Sequence, residues 1–284
     1  MNSTLIETLR ASQDGLNPQF NALRAATGAL KQAMRLAGEE KADALAMQKA
    51  HAKLEQAGAI LNDEQFNQSV VAFGAETQKA LESLAFEFAR DLKELFEQQG
   101  ETVEGRPPRL VINELVLEID MPTRRAQWVY GKELLTKPIP LSFNPILKAY
   151  EVQKRIILER SLEETFLQEL YTAWNELIAI RATRPQGGRI SITEAYSKFV
   201  LNRQNARFWN APSRATFRDY DRPLFVRDIV LASANPTLAV DGQEKRLHLT
   251  IATKSQAERA SQSMWIPSSP LDGEYYANIT FDAE

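Results

Sequence analysis

Acidic side chains at alternating positions form the most suggestive catalytic pattern in the sequence. Glu114, Glu118 and Asp120 fall within LVINELVLEID, a run whose Val, Ile and Leu content predicts a β-strand. Even spacing on a strand places side chains on one face, and three carboxylates there could hold Mg²⁺ for phosphodiester cleavage. However, Glu118 is followed by Ile and Asp rather than by the lysine of an Asp…Glu-x-Lys arrangement. The polar face of a half-buried strand explains the spacing better, and a Mg-dependent nuclease is kept as an alternative.

The remaining side chains offer little for other catalytic chemistry. The chain contains no cysteine, which excludes disulfides, zinc fingers, iron–sulfur clusters and thiol catalysis. Its two histidines, His51 and His248, fall in different predicted elements, so a site built on paired histidines is not expected. The Gly187-Gly188 pair is too short to cradle a phosphate. We therefore predict a protein without enzymatic activity, with no catalytic residues, metal ions or cofactors.

Arginine is concentrated between residues 181 and 222. This segment holds nine basic side chains against three acidic ones, which gives a local charge of +6 in a chain of net charge −3. Phe208, Trp209 and Tyr220 are interspersed among the arginines, a composition suited to phosphate contact and base stacking. We predict weak nucleic-acid binding without sequence preference through Arg203, Arg207, Arg214, Arg218, Arg222, Lys245 and Arg246. The alternative is a protein-docking or solvated face on which Asp219 and Asp221 neutralise the arginines.

The first 105 residues are predicted to form long helices. Proline is absent between Pro18 and Pro107, and the interval is rich in Ala, Leu, Glu, Gln and Lys. Apolar residues recur at steps of three and four, first at Phe20, Leu23, Thr27, Leu30, Met34 and Ala37, and again from Phe66 to Leu95. Asn62 or Asp63 can cap the second long helix.

This periodicity predicts a coiled-coil-like antiparallel helical hairpin over residues 1–105. We expect the apolar stripes to form its seam, with Phe73, Leu81, Leu84 and Phe88 buried against the first long helix. Such an arm would dock a protein partner or a second copy of the chain.

Residues 106–187 are predicted to form a small α+β connector. ETVEGRPPR is a linker by its Gly, Pro and charged residues, and strands are expected at 110–120 and 124–134. Ser161 and Glu164 have capping-box spacing and predict the start of a helix.

Residues 188–284 are predicted to form a winged-helix-like domain with extra C-terminal strands. A capping box at Ser191 opens one helix, further helices are expected at 213–221 and 222–233, and Asp241-Gly242 predicts a β-hairpin turn. This order resembles the winged-helix class over about residues 190–252, and the resemblance implies a module that docks on DNA or on protein. The third helix, PLFVRDIVLA, is so apolar that we expect it to pack in a core instead of reading bases.

Together these patterns predict an α+β, mostly helical protein in three parts. No signal peptide and no run of apolar residues long enough to span a bilayer is found, so a cytoplasmic protein without a membrane partner is expected. The function predicted is a non-enzymatic DNA-associated or scaffold subunit of a larger assembly. A purely structural protein-docking adaptor is the main alternative.

Overall fold

The structure is a computed structural model that describes residues 2–39, 43–61 and 63–283. Within these ranges the α-helices are α1 (Asn2–Ala37), α2 (Ala44–Leu61), α3 (Glu64–Gln98), α4 (Phe143–Gln153), α5 (Phe166–Ala179), α6 (Ile192–Asn202), α7 (Ala206–Asn210), α8 (Arg222–Ala232) and α9 (Lys254–Ala257). A π-helical turn, Lys154–Leu158, continues α4. None of the described helices is both long and apolar enough to cross a bilayer.

The β-strands of the described ranges are β1 (Val103–Arg106), β2 (Arg109–Ile112), β3 (Leu115–Asp120), β4 (Arg125–Tyr130), β5 (Glu133–Leu134), β6 (Ile139–Pro140), β7 (Ile190–Ser191), β8 (Thr237–Val240), β9 (Gln243–Ile251), β10 (Met264–Pro267) and β11 (Gly273–Ala283). The mixed α+β class with a helical N-terminal region is confirmed. The chain divides into two compact units, the first comprising Met1–Leu95, Arg106–Pro108 and Ile119–Arg125, and the second comprising the rest.

The first unit contains α1, α2 and most of α3. The helical prediction is confirmed, although three helices replace the two expected, because α1 ends at Ala37 and α2 begins at Ala44. Asp63 caps α3 as predicted, since its Oδ1 accepts a hydrogen bond from the backbone N–H of Phe66 at 2.7 Å. Asp43 makes the equivalent bond to Ala46 at the start of α2, at 3.1 Å.

The inward face of α1 consists mainly of small side chains. Its buried residues recur at steps of four and three, and they are Ala22, Ala26, Ala29, Ala33 and Leu36. The expected seam of larger residues is wrong for α1, because Phe20, Leu23 and Met34 are 63%, 56% and 66% exposed. Alanine lets helices approach closely. Each of these buried alanines immediately precedes, in the sequence, a residue of the predicted stripe, so the two stripes lie side by side on the helix surface.

The apolar stripe of α3 faces inward as predicted. Leu81 is buried, whereas Phe73, Leu84 and Phe88 are half-buried. Phe73 packs against a cluster formed by Leu36 of α1 and by Met47 and Ala50 of α2.

A six-stranded sheet follows α3, with strand order β1-β2-β3-β4-β5 and β6 beside β4. The single strand expected over 110–120 is wrong: Asn113, at φ 54°, turns the chain so that β2 and β3 pair antiparallel. Asn adopts this left-handed conformation more readily than most residues. In the second unit Trp128 of β4 packs edge-on against Phe96, which also contacts Tyr150 of α4.

The second sheet has strand order β10-β11-β9-β8, with β7 beside β11. The Asp241-Gly242 hairpin is confirmed, with φ of 50° and 74° at the turn. The helix expected at 213–221 is wrong, because that segment is a turn followed by chain without regular secondary structure. The expected third helix is present as α8. It lies in the core, where Phe225, Val226, Ile229 and Ala232 are buried.

Candidate nucleic-acid interface

The carboxylates considered for a nuclease have separate partners. Glu114 lies in the turn between β2 and β3, and its Oε2 accepts a hydrogen bond from Nη1 of Arg227 at 2.6 Å. Glu118, on β3, pairs with Nε of Arg109 at 3.1 Å, and Asp120 caps the turn that follows β3. Among the described residues no three His, Cys, Asp or Glu side chains lie close enough to hold one metal ion.

The two histidines have ordinary surroundings. His51 is half-buried on α2, where its ring lies 6.4 Å from that of Phe73. A side chain at Gly74 of α3 would meet the imidazole, since an added Cβ would lie 2.5 Å from His51 Nε2. His248 is exposed on β9. The contacts with Phe73 and Gly74 show that His51 is a packing residue between α2 and α3.

A closed loop, residues 205–218, carries three of the predicted arginines; we call it the basic loop. The buried side chain of Gln204 ties its two ends together. Its Nε2 donates to the carbonyls of Val200 and Arg218, at 2.8 and 2.9 Å, and its Oε1 accepts from the Arg218 N–H at 2.8 Å. These bonds fix the exit of the loop against the end of α6.

Aromatic side chains fill the interior of the basic loop. The ring of Phe208 packs edge-on against Trp209 and Phe217, at centroid distances of 5.2 and 5.4 Å. Nε1 of Trp209 donates to the Gln204 carbonyl at 3.2 Å, yet 56% of Trp209 is exposed. Asn205 caps α7 by accepting from the Phe208 N–H. The loop is therefore held by its own contacts and presents one large aromatic surface to solvent.

Arg207, Arg214 and Arg218 are all exposed on the basic loop. The segment 205–218 contains no Asp or Glu. In the part of the chain that the structure describes, no carboxylate forms a salt bridge with any of the three. Because nothing neutralises them, their guanidinium groups are available to an external anion.

Arg203 and Arg222, which flank the loop, are held in ion pairs. Arg203 pairs with Glu163, its Nε lies 3.1 Å from Glu169, and its guanidinium stacks 4.7 Å from the Tyr220 ring. Arg222 Nε donates to Glu133 at 2.7 Å, and its other nitrogens donate to two backbone carbonyls. These two arginines connect elements of the second unit.

The predicted hairpin residues lie on a different element. Lys245 and Arg246 follow the β8–β9 turn on β9, where Lys245 Nζ donates to Gln243 Oε1 at 3.0 Å. Of the seven predicted residues, three therefore lie together on the basic loop without a salt bridge, and the other four lie outside the loop.

A buried polar cluster in the second unit was not identified from the sequence. Asp228 of α8 is fully buried and accepts two hydrogen bonds from Arg160, at 2.7 and 2.8 Å, and one from the Tyr220 hydroxyl. The hydrogen bond to Asp228 raises the pKa of Arg160, and burial followed by the bond to Asp228 raises that of Tyr220. The available signal was a lone Asp within an apolar helix.

Comparison of the chain with protein-family models, curated proteins and solved structures finds no significant match. The residues and their geometry therefore carry the functional argument.

Proposed function

We propose that this protein is a non-enzymatic, DNA-associated subunit of a larger assembly that contacts backbone phosphates through the basic loop. The observation that carries the proposal is the set of exposed, unneutralised arginines Arg207, Arg214 and Arg218 on a loop without acidic residues. Guanidinium groups bind phosphate oxygens with paired hydrogen bonds, and the exposed ring of Trp209 can stack on an unpaired base.

The proposed binding is weak and independent of sequence. Three phosphate contacts supply a modest affinity, and the net charge of −3 provides no long-range attraction to DNA. If the helices and hairpin form a winged-helix-like unit, α8 takes the place of the recognition helix. Its apolar residues are buried, so it has no free face with which to read base edges.

The proposal is tested by fluorescence anisotropy with two labelled duplexes of unrelated sequence. Each phosphate contact contributes about −0.9 to the log–log salt slope, so three contacts give a slope of about −2.7. Affinity should then fall about 40-fold between 50 and 200 mM salt, equally for both duplexes. A slope near −4.5 would add Lys245 and Arg246 to the contacts, because it corresponds to about five phosphates.

Replacing Arg207, Arg214 and Arg218 by alanine should abolish most of the binding and flatten the slope. The matched control is Arg259→Ala, which removes an exposed arginine outside the loop and should bind as the wild type does. The proposal is wrong if the wild-type chain does not bind at low salt, or if the triple variant binds with unchanged affinity.

A protein-docking adaptor is the second candidate function. The observation that favours it is the set of large apolar residues exposed along α1, which includes Leu9, Leu16 and Phe20. Retained partner binding by a variant that has lost DNA binding would separate the two functions.

A further inference from the structure

The exposed side of α1 carries an apolar stripe, of which only Leu30 is packed against a described cluster, that of Ala29, Ala33, Leu54 and Val70. All residues from Thr4 to Asn21 are exposed, whereas α2 packs against the alanine face that begins at Ala22. The large exposed side chains of the stripe are Ile6, Leu9, Leu16, Phe20, Leu23 and Met34, with exposed fractions between 48% and 66%. Soluble monomers rarely expose contiguous apolar patches beyond a few hundred Å².

The stripe follows a heptad repeat in which two of the a positions, Gln13 and Thr27, are polar. Steps of three and four alternate from Ile6 to Met34, so that the a positions are Ile6, Gln13, Phe20, Thr27 and Met34. Every d position is leucine, at Leu9, Leu16, Leu23 and Leu30, each seven residues after the last. More than three heptads of this kind are typical of a coiled coil, and leucine at d combined with a β-branched residue at a, as at Ile6, is typical of two parallel strands.

We propose that a second copy of this chain covers the stripe, and that the two α1 helices form a parallel two-stranded coiled coil over residues 6–34. In a parallel dimer each d leucine packs against the same leucine of the second copy, so the surface is complementary to itself. The inference is independent of nucleic-acid binding, because none of its residues belongs to the basic loop.

The flanking charges favour the parallel arrangement. The e positions are basic at Arg10, Arg24 and Lys31, whereas all g positions are uncharged: Leu5, Ser12, Gln19, Ala26 and Ala33. A parallel pair sets e against g and therefore brings no like charges together. An antiparallel pair sets e against e and would place Arg10 opposite Lys31, which is unfavourable.

The stripe is also large enough and sufficiently free for a dimer. Residues 6–34 extend roughly 43 Å at 1.5 Å per residue. From Ala22 onward α2 covers the c and g positions of α1, and the d residue Leu30 is half-buried against the cluster that contains Ala29 and Leu54. Before Ala22 the a, d and g positions are all exposed, so the first half of α1 is free to pair along its whole seam. The six large exposed side chains would form the apolar part of an interface that, at standard size, buries roughly 800 Å² per partner.

The first test is the mass of the full chain by sedimentation equilibrium. The wild type should show a reversible transition from 32.1 kDa to twice that mass as concentration rises. Leu16→Glu combined with Leu23→Glu should stay monomeric, since charges at d cannot be buried. Ala11→Glu combined with Ala25→Glu, at exposed f positions of the same helix, should dimerise like the wild type. Wild-type chain that is monomeric at every concentration overturns the proposal.

The second test uses disulfide cross-linking, which the absence of native cysteine makes selective. Leu9→Cys places one thiol at a d position, where two copies meet only in a parallel pair. Oxidised Leu9→Cys should give a covalent dimer, and Ala11→Cys should not. A dimer by mass in which Leu9→Cys fails to cross-link contradicts the parallel arrangement.

Discussion

At the scale of single residues, the buried carboxylate of Asp228 is the group on which the second unit depends most. It is completely buried, and it is balanced by Arg160, whose two nitrogens donate to its two oxygens, and by the Tyr220 hydroxyl. A buried charge of this kind is stable only while its partners are in place.

Asp228→Ala should destabilise the second unit by about 3 kcal/mol, the low end of the cost of breaking a buried pair, because the part-buried Arg160 loses its close counter-charge and keeps only Glu163, 3.7 Å away. Urea unfolding followed by tryptophan fluorescence measures the change, since all four tryptophans lie in the second unit: Trp128, Trp174, Trp209 and Trp265. The control Asp219→Ala removes an exposed carboxylate and should change stability by no more than about 0.5 kcal/mol. Equal effects of the two variants would show that the buried pair contributes nothing specific.

The arginines show what composition can and cannot predict about a site. The sequence locates the basic cluster, because charge is a property of the segment itself. It does not show that Arg203 pairs with Glu163, 40 residues away, or Arg222 with Glu133, 89 residues away. Only folding brings those carboxylates near, so the unpaired members, Arg207 among them, could not be distinguished in advance.

At the scale of elements, the alanine face of α1 determines how the first unit packs. Helical periodicity predicts α1 and α3 and identifies their apolar stripes. It does not decide which of two adjacent stripes on α1 contacts α2, because alanine contributes little to an apolar pattern. Ala29 is buried in one cluster with Ala33, Leu54 and Val70.

Ala29→Leu should destabilise the first unit by about 1–3 kcal/mol, since the added atoms overpack this contact. Ala25→Leu is the matched control, because it makes the same change at an exposed position of the same helix. Unfolding is followed by far-UV circular dichroism for the helices and by tryptophan fluorescence for the second unit. A loss seen by circular dichroism alone is expected. Identical melting of the Ala29→Leu and Ala25→Leu variants would mean that the alanine face is not tightly packed.

At the scale of the whole molecule, the fold class can be predicted from the sequence. The number and bounds of the strands are harder to predict. The helix-rich composition of the first hundred residues and the mixed pattern after Pro107 are local properties, and the structure confirms the helical region and the α+β class. The boundary is wrong by a few residues, because β1 (Val103–Arg106) lies in the segment predicted to be a linker. The run 110–120 is read as one strand because its apolar residues outweigh Asn113, whose left-handed conformation makes it a hairpin. Single turn residues therefore decide topology where composition cannot.

The stability of the first half of α1 should depend on protein concentration. An isolated helix of this length is only marginally stable in water, and Pro18 removes one of its hydrogen bonds. Helical order between Thr4 and Asn21 should therefore be acquired together with association. Hydrogen exchange should show these amides unprotected in dilute solution and protected in concentrated solution, while α8 is protected in both. Equal protection at both concentrations would show that the segment is stable alone. Dilution would thus expose the N-terminus to proteases before any other part of the chain.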